Sequence, residues 1–306
     1  MRSWLNWQSF VSNFHVFFIA AAGVHQLLKY RFPMSGFSLN SAERCLAIVE
    51  LLVDHPEGLP LTLISNSLEL PASATHRLLT VLGTKGYVKQ SPLSNHYAPT
   101  MAIAALGLRL LASYHVPDIC QPVLEELAEQ SGELVRLSFL EEGRLIWIAK
   151  AQGSKSSLRY DPIIGRDVPL HVTAMGKAFL ASMTDAEATA LVEKIGYEGD
   201  LIGPRALRTE AELLRELAMA RTSGYGLVEE EAEAGVSAIA MVVHDGMHAG
   251  ALTVAALSIA GPSFRVTHER LRGFVPFLKE ATANLTRLWA VHRYQSAQVT
   301  AKQRAA

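Results

Sequence analysis

The stretch LELPASATHRLLTVLGTKGYV, residues 68–88, contains Ser73, His76, Arg77 and Thr80, which a helix would carry on or near its outward side. Leu78, Leu79 and Leu82 would form the inner side. Small hydroxyls, an imidazole and a guanidinium are the groups that hydrogen-bond base edges and phosphates in a DNA groove. The helix amino end adds N–H groups and a positive dipole that favour a phosphate. Lys85 and Lys89 flank the hairpin that follows, His96 lies toward its tip, and Arg44, early in an upstream helix, is placed to touch the backbone. A solvated helix face is the plainer reading of the same residues, above all of His76.

Other reactive groups form weaker patterns. Gly176-Lys177 is followed by Ala178, and His171 stands where a phosphate loop needs its first glycine. No G-x-S-x-G or H-E-x-x-H occurs. His171, or His244 with Asp245, would have to serve a small-molecule hydrolase, and little supports that alternative. Glu229, Glu230, Glu231 and Glu233 form an acidic run, read as a solvated face rather than a metal site. Cys45 and Cys120 are far apart, outside any zinc-ligand spacing and unlike a secreted disulfide scaffold. A reducing cytoplasm fits, and nothing calls for a cofactor.

The elements that must position these groups follow from length and pattern. A chain of 306 residues is longer than one core supports, so two domains are expected. The net charge of -1 excludes a global basic field, so any nucleic-acid surface is local. Residues 1–33 are set apart: from Ser3 to Leu28 there is no charged side chain. They read as a leader that is not native structure, with Met34 as the true start; a membrane anchor and a genuine extra helix are the alternatives. An anchor would make the protein a membrane-tethered ligand sensor; otherwise no membrane is implied.

From Asn40 a helix is expected with Ala42, Cys45, Leu46, Val49, Leu52 and Val53 on its inner face and an Asn40–Glu43 capping box. A short second helix buries Leu61, Ile64 and Leu68, and Pro71 opens the third, which Gly86 ends. GYVKQSPLSNHYAPT then reads strand, turn, strand. Residues 34–100 are thus a winged helix-turn-helix, and 101–116 a linker helix. Residues 117–295 read as an α+β sheet domain with hairpins at LVRLSFL-EEGR-LIWIAKA and around Asp245-Gly246, closed by one long helix before a tail at 296–306.

Across residues 38–295 the chain resembles the IclR-type bacterial transcriptional regulators. The likeness rests on HRLLTVLGTKGYV in the first domain and on GELVRLSFL, PLHVTAMGKAFLA, SGYGLVEEEAEAGVSAIA and ALSIAGP in the second. It implies a GAF- or PAS-like domain that binds a small organic effector, and a homodimer or homotetramer on a palindromic double-stranded DNA operator. A soluble repressor is the form this suggests. Carried over by position, the effector pocket would be lined by Leu158, Val168, Ala174, Met175, Val228, Val236, Ala238, Ser258 and Ala260. Relatives that bind small carboxylates tend to have Asp, Cys and Ser where this chain has Val228, Ala238 and Ala260. So apolar a wall implies an effector less polar than glyoxylate or pyruvate, such as an aromatic catabolite. His171 and Arg159 are the weaker candidates for touching it.

Two departures bear on the first domain. Ala72 stands where the family often has Lys, and Glu69 where the turn between helices usually has Gly, a costly exchange if φ is positive there. Residues 34–100 carry four basic side chains against five acidic ones, so each protomer would neutralise few phosphates and affinity would be shared among protomers.

Overall fold

The computed structural model describes residues 40–114, 119–197, 202–248 and 250–304. The leader at 1–33 and part of the expected linker lie outside those residues. The chain divides into two units, residues 1–110 and 111–306.

In the first unit, helix α1 (Ser41–Val53) starts on the expected capping box, Asn40 accepting from Glu43 N–H while the Glu43 carboxylate accepts from Asn40 N–H. Helices α2 (Leu61–Ser67) and α3 (Ala72–Thr84) and the hairpin β1 (Val88–Gln90) and β2 (Tyr97–Pro99) follow. Ile48, Leu52, Ile64, Leu79, Leu82 and Val88 make their shared core. The inner face of α1 differs from the expected one. Ile48, Leu51 and Leu52 are buried, whereas Ala42, Leu46 and Val53 are exposed. Residues 45–53 are apolar nearly all round, so periodicity alone does not choose a face.

The turn between α2 and α3 is a Schellman motif: Glu69 N–H donates to Asn66 C=O and Leu70 N–H to Ser65 C=O. Glu69 adopts φ +52° there, so the turn keeps its path with a non-glycine residue in the left-handed region. Helix α4 (Met101–Ser113) follows, and none of its residues is buried.

The second unit is a five-stranded antiparallel sheet, order β4-β3-β7-β6-β5. Its strands are β3 (Leu134–Glu141), β4 (Arg144–Gln152), β5 (Gly226–Glu229), β6 (Val236–His244) and β7 (Thr253–Pro262). Helix α5 (Gln121–Ser131), α9 (His268–Gly273) and α10 (Val275–Arg304) lie with one sheet face, whose core includes Val135, Leu137, Ile239 and Leu257. The other face carries α6 (Ala174–Leu180), α7 (Asp185–Ile195) and α8 (Glu210–Ser223) over Trp147, Ala238, Ala240, Ala256 and Ala260. Both faces are covered, so polar residues near the middle of the inner strands, such as Arg136, Ser138 and Ser258, are enclosed.

Two expected features change. The β6–β7 connection is not a tight Asp-Gly turn; Asp245 N–H donates to Leu252 C=O across a wider loop. The closing helix is two, α9 and α10, with Phe274 between them and Pro276 in the first turn of the second.

Candidate functional site

In the first unit, Ser73, His76, Arg77 and Thr80 are all exposed on α3, while Thr75 and Leu79 are buried behind them. Thr75 donates its hydroxyl to Pro71 C=O at 3.2 Å, as an inward residue at that place must. Thr80 donates to His76 C=O at 2.9 Å, which leaves its hydroxyl oxygen free to accept. Pro71 precedes α3 with no side-chain cap on the helix amino end. Lys85 caps the carboxyl end of α3 and Lys89 lies on β1, both exposed; His96 is half-buried. Arg44 is half-buried too, with its Nε enclosed and unpartnered. Unit one therefore presents a helix face of small polar groups around one guanidinium.

In the second unit, Val168, Ala174, Met175, Val228, Ala238 and Ala260 come together in the core beneath α6. Val228, Ala238, Ala260 and Leu134 form one cross-strand row; Ala240, Ser258, Arg136 and Lys150 form the next. Val236, half-buried, begins β6 opposite Pro262. Leu158 stands apart, 68% exposed on the segment that crosses this face. Helix α6 is seated by glycines: a Cβ on Gly226 would fall 2.2 Å from Ala174 O, and one on Gly176 2.2 Å from Leu170 O.

Sequence reasoning missed the charged member of this wall. Arg136, 7% exposed, lies with its guanidinium carbon 4.5 Å from the centre of the Trp147 ring and 5.5 Å from that of Tyr160. Burial holds its pKa below the ordinary guanidinium value, against the opposing pull of Tyr160 and Glu233. Its Nε, the Trp147 Nε1 and the Ser258 Oγ are enclosed without hydrogen-bond partners.

Within the acidic run Glu231 departs from the solvated face expected of it, being buried, while Glu233 is exposed as expected. Lys177 is buried and donates to Glu231 at 2.7 Å and Glu216 at 2.9 Å. Burial pushes the Glu231 carboxyl up to about 7, opposed by the Lys177 charge. This pair lines a cleft of about 420 Å³ with Arg205, Glu229 and His268. Another of about 420 Å³ opens beside His244, His248 and Lys279. Neither is built from the residues expected to hold an effector. Among the described residues no cluster suits a metal ion. His171 is buried against Tyr197, its pKa lowered chiefly by burial, and Arg159 is an exposed neighbour of Asp161 at 3.9 Å. Cys45 and Cys120 are free thiols.

The family model for the IclR helix-turn-helix domain matches residues 41–92, and the one for the bacterial transcriptional regulator IclR C-terminal domain matches residues 108–287. Among curated proteins the chain is 32% identical over 251 residues to the HTH-type transcriptional regulator XynR of Escherichia coli strain K12, covering 81% of this chain and 96% of the relative. In fold it is similar to an IclR transcriptional regulator from Alicyclobacillus acidocaldarius, with a TM-score of 0.70 at 22% identity over 83% of this chain and 100% of the other. It is likewise similar to an IclR homologue from Microbacterium hydrocarbonoxydans solved with 4-hydroxybenzoate, with a TM-score of 0.66 at 21% identity over 82% and 100%. With a winged helix exposing a polar helix face and a sheet unit following it in the chain, each matched in order, the chain belongs to the IclR family of DNA-binding transcriptional regulators.

Proposed function

We propose that α3 enters the major groove of an operator and that Arg77, with Ser73, His76 and Thr80, makes the base-edge contacts, while Lys85, Lys89 and Arg44 hold the phosphate backbone. The observation that carries this is the division of α3: every polar candidate is exposed and Thr75, Leu79 and Leu82 are buried. Gel-shift titration against the DNA flanking the gene tests it. Arg77→Ala is expected to weaken operator binding about 10- to 100-fold. Wild-type affinity in both Arg77→Ala and Ser73→Ala would overturn the assignment.

The protein acts in the cytoplasm as a homodimer or homotetramer and performs no catalysis. Support for an oligomer comes from α4, an apolar helix with no buried residue and with Met101, Leu108 and Leu110 exposed. Low basic charge on each winged helix points the same way. No helix among the described residues is long and apolar enough to cross a membrane. The effector binds on the α6 side of the sheet, near Val168, Met175, Val228, Ala238, Ser258 and Ala260, and is a catabolite with an apolar body. An aromatic one suits this wall, and the Microbacterium homologue, solved with 4-hydroxybenzoate, offers a parallel.

A further inference from the structure

The α6 side of the sheet encloses a cation that no carboxylate of the described residues meets in a direct ion pair. Arg136 forms no ion pair among the described residues, and the carboxylates around it are committed elsewhere or exposed. Glu133 is held by Arg265 and Arg270 at 2.7 and 3.1 Å. Asp161 is held by Lys150, the residue opposite Arg136 on β4, at 2.6 Å. Glu233 is exposed and pulls on Arg136 only through space, with Tyr160, hydrogen-bonded to both, between them. A guanidinium taken out of water needs an anion in contact, and no carboxylate of the described residues reaches this one.

The donors around it converge. Ser258, 1% exposed, stands directly opposite Arg136 in the β3–β7 register. Trp147 stands opposite Ser138, the next residue of β3 on the same face, with its ring against the guanidinium. Arg136 Nε–H, the Trp147 indole N–H and the Ser258 hydroxyl all lack partners. Internal water would satisfy those groups but brings no charge. Unspent donors beside an unpaired positive charge call for a group that offers lone pairs and carries the opposite charge.

We propose that Arg136, with Ser258 and Trp147, binds the carboxylate of the effector, and that the Trp147 and Tyr160 rings receive its flat apolar body. The inference rests on the effector reading above and narrows it to organic acids. The carboxylate accepts from the guanidinium and from the hydroxyl and indole N–H beside it. Tyr160 marks the side of entry. It is half-buried on the 153–168 segment, which has no regular structure and leaves Leu158 and Ile163 in solvent.

Calorimetry on the full chain tests this with acids and their neutral amides: benzoate, 4-hydroxybenzoate, phenylacetate and hexanoate against the corresponding carboxamides. An acid is expected to bind about 30-fold more tightly than its amide. Arg136→Met is expected to remove that preference, and Ser258→Ala to weaken acid binding about 5-fold. An amide that binds as tightly as its acid, or a folded Arg136→Met that keeps the preference, overturns the inference and leaves the effector reading standing. If no acid or amide of the series binds, both fall. The acid–amide comparison needs no variant, so it decides even if Arg136→Met does not fold.

Discussion

Replacing Glu69 by glycine is expected to stabilise the winged-helix unit. Glu69 occupies the left-handed position of the Schellman turn at φ +52°, is exposed, and makes no side-chain hydrogen bond or ion pair in the turn. Holding a side chain in that region costs roughly 1–2 kcal/mol. Glycine removes that cost but adds freedom to the unfolded chain worth roughly 0.5–1 kcal/mol. The net gain is therefore about 0.5–1 kcal/mol, or about 3–6 °C in the midpoint of a unit this size. Hydrogen exchange read on peptides spanning 61–84, together with calorimetric melting of the full chain, measures it. Leu70 N–H, which donates to Ser65 C=O across the turn, should exchange more slowly in Glu69→Gly. Glu69→Val supplies the opposite sign, since a β-branched side chain tolerates the left-handed region worst. A lower midpoint in Glu69→Gly, or no loss in Glu69→Val, would refute the strained-turn reasoning.

Further expectations concern charge. If Arg44, Lys85 and Lys89 are the phosphate contacts of each protomer, a dimer's operator affinity should fall with a log–log salt slope of about −5, and Lys85→Ala should make it shallower by about 2. Fluorescence anisotropy across a salt series reads this, and a slope steeper than about −8 would mean that other cations touch the backbone. In the second unit, burial raises Glu231 from 4.5 to about 7, so between those values the folded state holds a proton that the unfolded state lacks. Its contribution to stability is present at low pH and lost as pH rises through about 7. Wild type should accordingly gain on Glu231→Gln in thermal midpoint as pH falls from about 8 to about 5, and a flat or opposite difference would count against a carboxyl desolvated beside Lys177.

Local chemistry carried much of this fold in the sequence. The Asn40–Glu43 box, the hairpin of the wing and the helix stops at Gly196 and Gly224 each depend on residues a few positions apart. The outward face of α3 was legible for the same reason: Leu79 and Leu82 leave only one side for Ser73, His76 and Arg77. Arg136 was not legible. In LVRLSFL an arginine between apolar neighbours looks like an edge residue reaching water, and only the strand order reveals that its side of the sheet lies under α6. Lys177 was hidden likewise. Its partners Glu216 and Glu231 come from α8 and the β5–β6 connection, far along the chain. Glu231 therefore looked like one more solvated charge.

The seating of α6 has a consequence for chemistry done on this protein. Gly226 of β5 meets the α6 backbone at Ala174 and Ala178, and Gly176 of α6 meets the backbone of Leu170, so closely that not even a methyl group fits at either place. A synthetic series built outward from a bound acid should consequently show lopsided tolerance. Bulk added toward Tyr160 and Leu158 meets a segment bordering solvent, whereas bulk added toward the helix meets main chain that has nowhere to retreat.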